Sequence, residues 1–300
     1  MRALITGGGG FVGGHLGAHL AGKGDDVTSV DRECDVTDLD AVRDVVAASR
    51  PDVVYHLAAL THVGDSWTNQ SEFTRVNVLG TKNVLDAAHR DAPDACVILV
   101  SSSEVYGVVQ ERDLPLRETF RTAPANPYSS SKLEAERFAK QAYRVNAQRI
   151  VIARPFNHVG PGQSTRFVVP GLVSRLLAAT REGRHEVGVG DLSTRRDFSD
   201  VRDVVRAYRL LALHGQSGEV YNVASGHDVA VLDIANQLRD AIAPGVELVV
   251  DPALLRPVEI PVTRGSCDKI HETTGWEPEI SLSTSLHDVV DDIRRRRAEN

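Results

Sequence analysis

The 300-residue chain is 42% apolar and 25% charged, which excludes disorder and a fibrous fold and leaves room for one large α/β domain or two ordinary ones. Lys and Arg number 34 against 41 Asp and Glu, a net charge of −7 that disfavours nucleic acid and anionic membranes as partners. Cys34, Cys96 and Cys267 are widely spaced with no C-x-x-C pair, so neither a disulfide framework nor a zinc site is indicated and a reducing cytoplasm is expected. The apolar run before the first glycines is only Ala3-Leu4-Ile5, too short for a signal-peptide core, and no apolar run of about 18 residues follows, so the chain reads as neither exported nor membrane-spanning.

In chain order, β-rich runs at residues 3–6, 27–30, 53–58, 96–101 and 150–154 alternate with helical patterns at 12–23, 38–48, 77–90 and 129–145. Strand, helix, strand in that order means right-handed crossovers and a doubly wound parallel sheet with helices on both faces. After Asn157 the rhythm loosens into Gly/Pro turns, further helices and isolated strands near 187–189 and 247–250, which reads as a smaller α/β domain or cap over the strand ends. Arg294 to Arg297 end a helix rich in acids, where cations meet the macrodipole favourably, and this run is a solvated helix end.

The first strand runs into Gly7-Gly8-Gly9-Gly10-Phe11-Val12-Gly13, a G-x-x-G-x-x-G spacing between strand and helix. Glycines there let the backbone approach a pyrophosphate whose charge rests on the free N–H groups of the helix N-terminus. The second strand ends at Asp31, where an acid would hold the adenosine ribose hydroxyls of NAD; Arg32 beside it would instead suit the 2′-phosphate of NADP. Three residues separate Asp31 from Asp35-Val36-Thr37, so the usual helix between second and third strands is expected to be cut to a turn.

Tyr128 and Lys132 stand four residues apart, one turn on the same helix face, after the helix entry Pro124-Ala125-Asn126-Pro127. A lysine near the phenol favours the phenolate, which would lower the tyrosine pKa toward the range of proton exchange. Ser101-Ser102-Ser103-Glu104 lies at the end of the fourth strand, where open α/β sheets bind ligands. Ser102 is the first choice to hydrogen-bond a carbonyl, with Ser103 its neighbour; Glu104 is a second acid/base or a turn carboxylate.

At these residues the chain resembles the extended short-chain dehydrogenase/reductase family of nucleotide-sugar enzymes. T-G-G-x-G-F-x-G-x-H-L, H-L-A-A (His56 to Ala59), N-V-x-G-T (Asn77 to Thr81), S-S-S-E-V-Y-G and P-Y-S-S-S-K occur in the family's order over nearly the whole chain. Later segments around Arg154 to Gln163, Arg196 to Asp203, Leu255 to Pro261 and Thr274 to Pro278 are most similar to its GDP-4-keto-6-deoxy-D-mannose reductases, with GDP-mannose 4,6-dehydratases as close relatives. The resemblance implies a Rossmann-type NAD(P)-binding domain at 1–165, with a segment at about 196–226 returning to it, and a mainly nucleotide-sugar-binding domain at 166–300. It implies cofactor contacts from Gly7, Gly10, Phe11, Val12, Asp31, Arg32, Asp35, Val36, Leu57, Ala58, Ala59, Tyr128, Lys132 and Pro155. Substrate contacts are expected from Ser103, Asn157, Val168, Arg196, Arg256 and Glu259, the two arginines gripping the pyrophosphate. His158 reads as structural, with no H-x-x-x-H or comparable spacing to suggest a metal.

Three chemistries share such a scaffold: a reductase consuming NADH or NADPH, a 4-epimerase retaining NAD, and a 4,6-dehydratase. Dehydratases of the family carry Thr before their acid where this chain has Ser103, which lowers that reading, and a non-catalytic dinucleotide sensor would be expected to lack Tyr128 or Lys132. Reduction of a nucleotide-linked 4-keto-6-deoxy sugar is the expectation. The helices at 77–90 and 129–145 are expected to carry apolar faces beyond what one sheet covers, and in the family the matching helices pair as a four-helix homodimer interface.

Overall fold

Val53-Val54-Tyr55 and Val97-Ile98-Leu99 are apolar on both alternating faces, which suits strands in the middle of a parallel sheet with helices above and below. A computed structural model bears this out; it describes residues 1–255, 258 and 260–298, so Arg256 and Glu259 lie outside the described residues. The chain runs β1 (Arg2–Thr6), α1 (Phe11–Gly22), β2 (Asp26–Val30), α2 (Leu39–Ser49) and β3 (Val53–His56). Short helices α3 (Val63–Ser66) and α4 (Gln70–Phe73) lead through a π-helical segment, Thr74–Leu79, into α5 (Gly80–Asp91). Then come β4 (Cys96–Val100), α6 (Pro127–Asn146), β5 (Ile150–Pro155) and β6 (Asn157–Val159). The remainder is α7 (Val168–Glu182), β7 (Glu186–Val189), β8 (Arg195–Asp200), α8 (Val201–His214), β9 (Val220–Val223), β10 (Asp228–Ala230), α9 (Val231–Ile242), β11 (Glu247–Val250), α10 (Asp268–Thr274) and α11 (Leu282–Ala298).

Six parallel strands in the order β2-β1-β3-β4-β5-β9 form the main sheet. One face buries Ile5, Tyr55, Ile98 and Val151 against α1, α8 and Trp276; the other buries Leu4, Val54, Val97 and Ile152 against α2, α5 and α6. A second core, Val159, Val169, Leu172, Val173, Leu176, Ile234, Leu238, Val289 and Ile293 among others, is enclosed by α7, α9, α11 and the small sheets β10-β8-β6 and β11-β7. No helix among the described residues is long and apolar enough to cross a membrane.

One expectation is borne out and one is corrected. The chain turns between Asp31 and Asp35 without a helix, and the helix expected at 38–48 follows as α2, capped by the Asp38 carboxylate, which accepts from the Asp40 and Ala41 amides. Val42 and Val46, one turn apart on α2, supply its buried face, and the sheet ends at β2 because residues 31–38 form turns rather than another strand. The correction concerns the apolar faces of α5 and α6. Because α2 covers α5, the apolar positions Val84, Leu85, Ala87 and Ala88 of α5 are buried within the chain, as are Leu133, Ala135 and Ala139 of α6. Outward positions carry the ion pairs Lys82–Asp86 and Arg137–Glu134 instead of an apolar face.

Candidate active site

At the end of β1 the backbone turns through Gly7 at φ +75°, and a Cβ there would lie 2.6 Å from the Ala58 amide nitrogen. A Cβ at Gly13 would lie 2.2 Å from the Gly7 carbonyl oxygen, so loop and helix start can approach only without side chains. Gly10 caps α1 without a side-chain hydrogen bond and the first turn holds no acid, which leaves the helix N-terminus at Phe11 and Val12 open to an anion. The Asp31 carboxylate faces the loop, 2.5 Å from where a Gly9 Cβ would stand, while Arg32 is exposed. Close backbone, an open helix end and a facing acid fit a dinucleotide. Asp35 and Val36 offer less: the Asp35 carboxylate accepts from the Thr37 amide and hydroxyl and lies 3.6 Å from Arg75, and the Val36 side chain is buried against Gly80.

Asn126 starts α6, its side chain accepting from the Ser129 amide at 2.8 Å, and Pro127 fills the first turn. The helix therefore begins in register to present Tyr128 and Lys132 together. Lys132 Nζ donates to the Val100 carbonyl at 2.9 Å, and the Tyr128 phenol faces Ser102. Burial pushes Tyr128 up to about 12 against the opposing influence of the Ser102 hydroxyl, with the Glu104 charge adding to the rise. Burial brings Lys132 down to about 8 against the attraction of Glu136. The expected lowering of the tyrosine pKa is thus corrected: desolvation dominates, and the ammonium hydrogen-bonds the strand end rather than the phenol. Glu104 faces Tyr128 electrostatically and accepts from Asn126 Nδ2 at 2.9 Å.

The carboxyl ends of β1, β3, β4 and β5 thus gather the glycine loop, Leu57 to Ala59, Ser102 to Glu104, Tyr128, Lys132 and Pro155, with Asn157 exposed at the start of β6. Val168 is exposed at the start of α7, and Arg196 on β8 donates to the Arg195 carbonyl at 2.9 Å. The start of α7 is tied across to the segment after β3: Arg166 donates to both Asp65 oxygens at 2.7 and 2.8 Å, and Phe167 meets the His62 ring edge-on. His158 stacks on Phe11 with its Nδ1 3.0 Å from the Phe156 carbonyl oxygen. Among the described residues no His, Cys, Asp and Glu cluster could hold a metal.

A buried polar network joins three of the motifs, from β1, β3 and the start of α5. Thr81 Oγ1 donates to the Asn77 carbonyl at 2.7 Å, so it accepts from His56 Nε2 at 3.0 Å; His56 Nδ1 then accepts from Thr6 Oγ1 at 2.8 Å. Burial drives His56 down to about 3, so it stays neutral. Asn77, in the π-helical segment, binds both backbone groups of Leu60 and donates to Ser131. The signal for these residues was polar side chains in otherwise apolar strand and helix faces.

Comparison with known proteins decides the family: residues 3–224 match the NAD dependent epimerase/dehydratase family. The chain belongs to that family. A GDP-6-deoxy-D-mannose reductase of Pseudomonas aeruginosa is 38% identical over 299 residues, 98% of either chain. RMD from Pseudomonas aeruginosa, solved in complex with NADPH, has a TM-score of 0.90 and 36% identity, covering 99% of this chain and 100% of that one. A UDP-glucose 4-epimerase from Thermotoga maritima, solved with UDP-glucose, has a TM-score of 0.91 and 26% identity, covering 99% and 100%. As a family member the chain is an NAD(P)-dependent nucleotide-sugar enzyme built on a Rossmann-type sheet.

Proposed function

We propose that the chain reduces the 4-keto group of GDP-4-keto-6-deoxy-D-mannose, forming GDP-D-rhamnose at the expense of NADPH or NADH. The observation that carries this reading is the buried, neutral Tyr128 phenol facing Ser102, a proton donor at rest, in a chain 38% identical to a GDP-6-deoxy-D-mannose reductase. Gly7, Gly10, Phe11, Val12, Asp31, Leu57, Ala58, Ala59, Lys132 and Pro155 would hold the dinucleotide, with Arg32 and the backbone of Asp35 and Val36 at its adenosine end. When bound, the reduced cofactor supplies a hydride to C4. Ser102 orients the carbonyl, Tyr128 gives its proton to the oxygen at C4, and the Lys132 ammonium stabilises the phenolate left behind until solvent reprotonates it. The lobe of α7, α9, α11 and the two small sheets would bind the nucleotide sugar, with Asn157 and Ser103 at the sugar, Val168 nearby and Arg196 on the diphosphate; Arg256 and Glu259 belong to the same proposal.

The test is purified protein mixed with GDP-4-keto-6-deoxy-D-mannose and NADPH or NADH, with loss of the reduced cofactor as the expected outcome. The likeness to the UDP-glucose 4-epimerase supports a second reading, in which NAD stays bound and UDP-glucose and UDP-galactose interconvert with no cofactor added. A homodimer through α5 and α6 rests on the family resemblance, supported by a groove between α6 and the segment leading into α5, lined by Trp67, Thr74, Val78 and Leu133. Light scattering at micromolar concentration should give twice the chain mass. The cytoplasmic assignment is supported by three free cysteines.

A further inference from the structure

Behind the site lies an ion pair that the reaction does not touch. Glu136, one turn beyond Lys132 on α6, and Arg154, on β5, are almost fully enclosed, with 0% and 2% of their side-chain surfaces exposed. Arg154 Nε donates to Glu136 Oε1 at 2.8 Å and its second fork nitrogen to Oε2 at 2.7 Å, while the guanidinium lies 4.9 Å from the centre of the Tyr106 ring. A third donor completes the cluster: Ser101 Oγ reaches Glu136 Oε1 at 2.7 Å. Ser101 is the residue between the two anchors of the site. On one side the Val100 carbonyl accepts from Lys132 Nζ; on the other Ser102 faces the Tyr128 phenol.

We propose that Glu136 is a positioning residue for the reaction: locked by Arg154, it grips Ser101 and so fixes the end of β4 from which Lys132 and Tyr128 are held. The proposal rests on the reductase reading only for its kinetic arm. Stability gives little reason for the pair, since a buried ion pair is commonly no better than apolar residues of the same volume. Its location gives the reason. One helix carries Tyr128, Lys132 and Glu136 at successive turns, and one strand end carries Val100, Ser101 and Ser102, so the Lys132–Val100 and Glu136–Ser101 bonds fasten the same two elements beside the place where Tyr128 faces Ser102. Misplacement of reacting groups by a fraction of an ångström to one ångström is costly to rate, and the Glu136–Ser101 bond prevents it.

Glu136 also acts through charge. The groups facing it are Arg154, Ser101 and Lys140, whose Nζ lies 3.5 Å away; those near Lys132 are Glu136, the Val100 carbonyl and the neutral His56. The carboxylate favours the Lys132 ammonium, so removing its charge lets burial lower that lysine further.

Two variants separate the effects. Ser101→Ala removes the grip and keeps the ion pair; its kcat for the ketone should fall about tenfold with KM for the cofactor changed less than about twofold and the alkaline limb of kcat unmoved. Glu136→Gln keeps the shape and drops the charge; its alkaline limb should move to lower pH. The Lys132 titration, followed by NMR in lysine-labelled protein with no substrate present, should move the same way in Glu136→Gln and stay in place in Ser101→Ala. Ser101→Ala with kcat within twofold of the parent overturns the positioning role, and a folded Glu136→Gln with unmoved lysine titration overturns the charge role. Should Glu136→Gln fail to fold, Ser101→Ala decides the proposal. Failure of the parent protein to consume reduced cofactor would refute the reductase reading instead; positioning would then be read as the Tyr128 phenol titration, which Ser101→Ala should move and a purely structural Ser101 should not.

Discussion

Around the ends of β3, β4 and β5 the buried residues include His56, Asn77, Thr81, Ser101, Lys132, Glu136 and Arg154, whereas the core under α7, α9 and α11 is almost wholly aliphatic. In the first region nearly every side chain has a directed partner, and the hydrogen bonds admit one arrangement. In the second, packing of Val, Leu and Ile fills space without fixing direction, and the polar groups sit at its boundary, as where Asp197 accepts from the Ser225 hydroxyl and from the Ser225, Gly226 and Gly265 amides. The difference matches the two tasks. Proton and hydride transfer demand fixed geometry, while the nucleotide-sugar pocket proposed for the second region could be reshaped by repacking an apolar core, which tolerates volume-conserving change.

The sharpest way to break this comparison is to remove one proton donor from the polar side. Tyr128→Phe should lower kcat by about 10²- to 10⁴-fold while leaving the unfolding free energy nearly unchanged, measured by cofactor oxidation and by urea titration. Next in size is acid lability. His56 is neutral in the fold because burial lowers its pKa to about 3, whereas the unfolded chain takes up a proton near the ordinary value of 6.5. Between those limits the unfolded state binds more protons, so stability falls as pH is lowered from about 6.5 toward 3, by about 1.4 kcal/mol per pH unit from this one group. His56→Asn should show a shallower fall over that window in urea titrations at stepped pH. On the aliphatic side the effect should appear in stability alone: Val173→Ala, at a fully buried position of α7, should cost about 1–3 kcal/mol with kcat within about twofold. The smallest effect should be Arg166→Ala. Its pair with Asp65 is solvent-exposed, so the variant should lose less than about 1 kcal/mol of stability, with any change in KM reduced further by salt.

Much of the catalytic region was legible because its signals are local. The glycine spacing, the strand-end acid and the Tyr128–Lys132 pair lie within single elements, and the structure places each where the pattern required. What was not legible depends on contacts between distant segments. The helix at 38–48 was legible as a pattern, but its packing against α5, which leaves no spare apolar face there, joins separate segments and shows in neither alone. The tyrosine pKa was likewise read from the spacing of two residues, while its value follows from burial that many segments create. The pairing of Ser101 with Glu136 and Arg154 joins three elements and leaves no mark in any one of them.

The account's central claim is reduction at C4 with a freely exchanging cofactor, and the most direct measurement is single-pot turnover of GDP-4-keto-6-deoxy-D-mannose with stoichiometric NADPH, followed by NMR of the sugar product. One reduced cofactor should be consumed for each GDP-D-rhamnose formed. An unchanged cofactor with the ketone intact, or interconversion of UDP-glucose and UDP-galactose by protein that retains its own NAD, would contradict it.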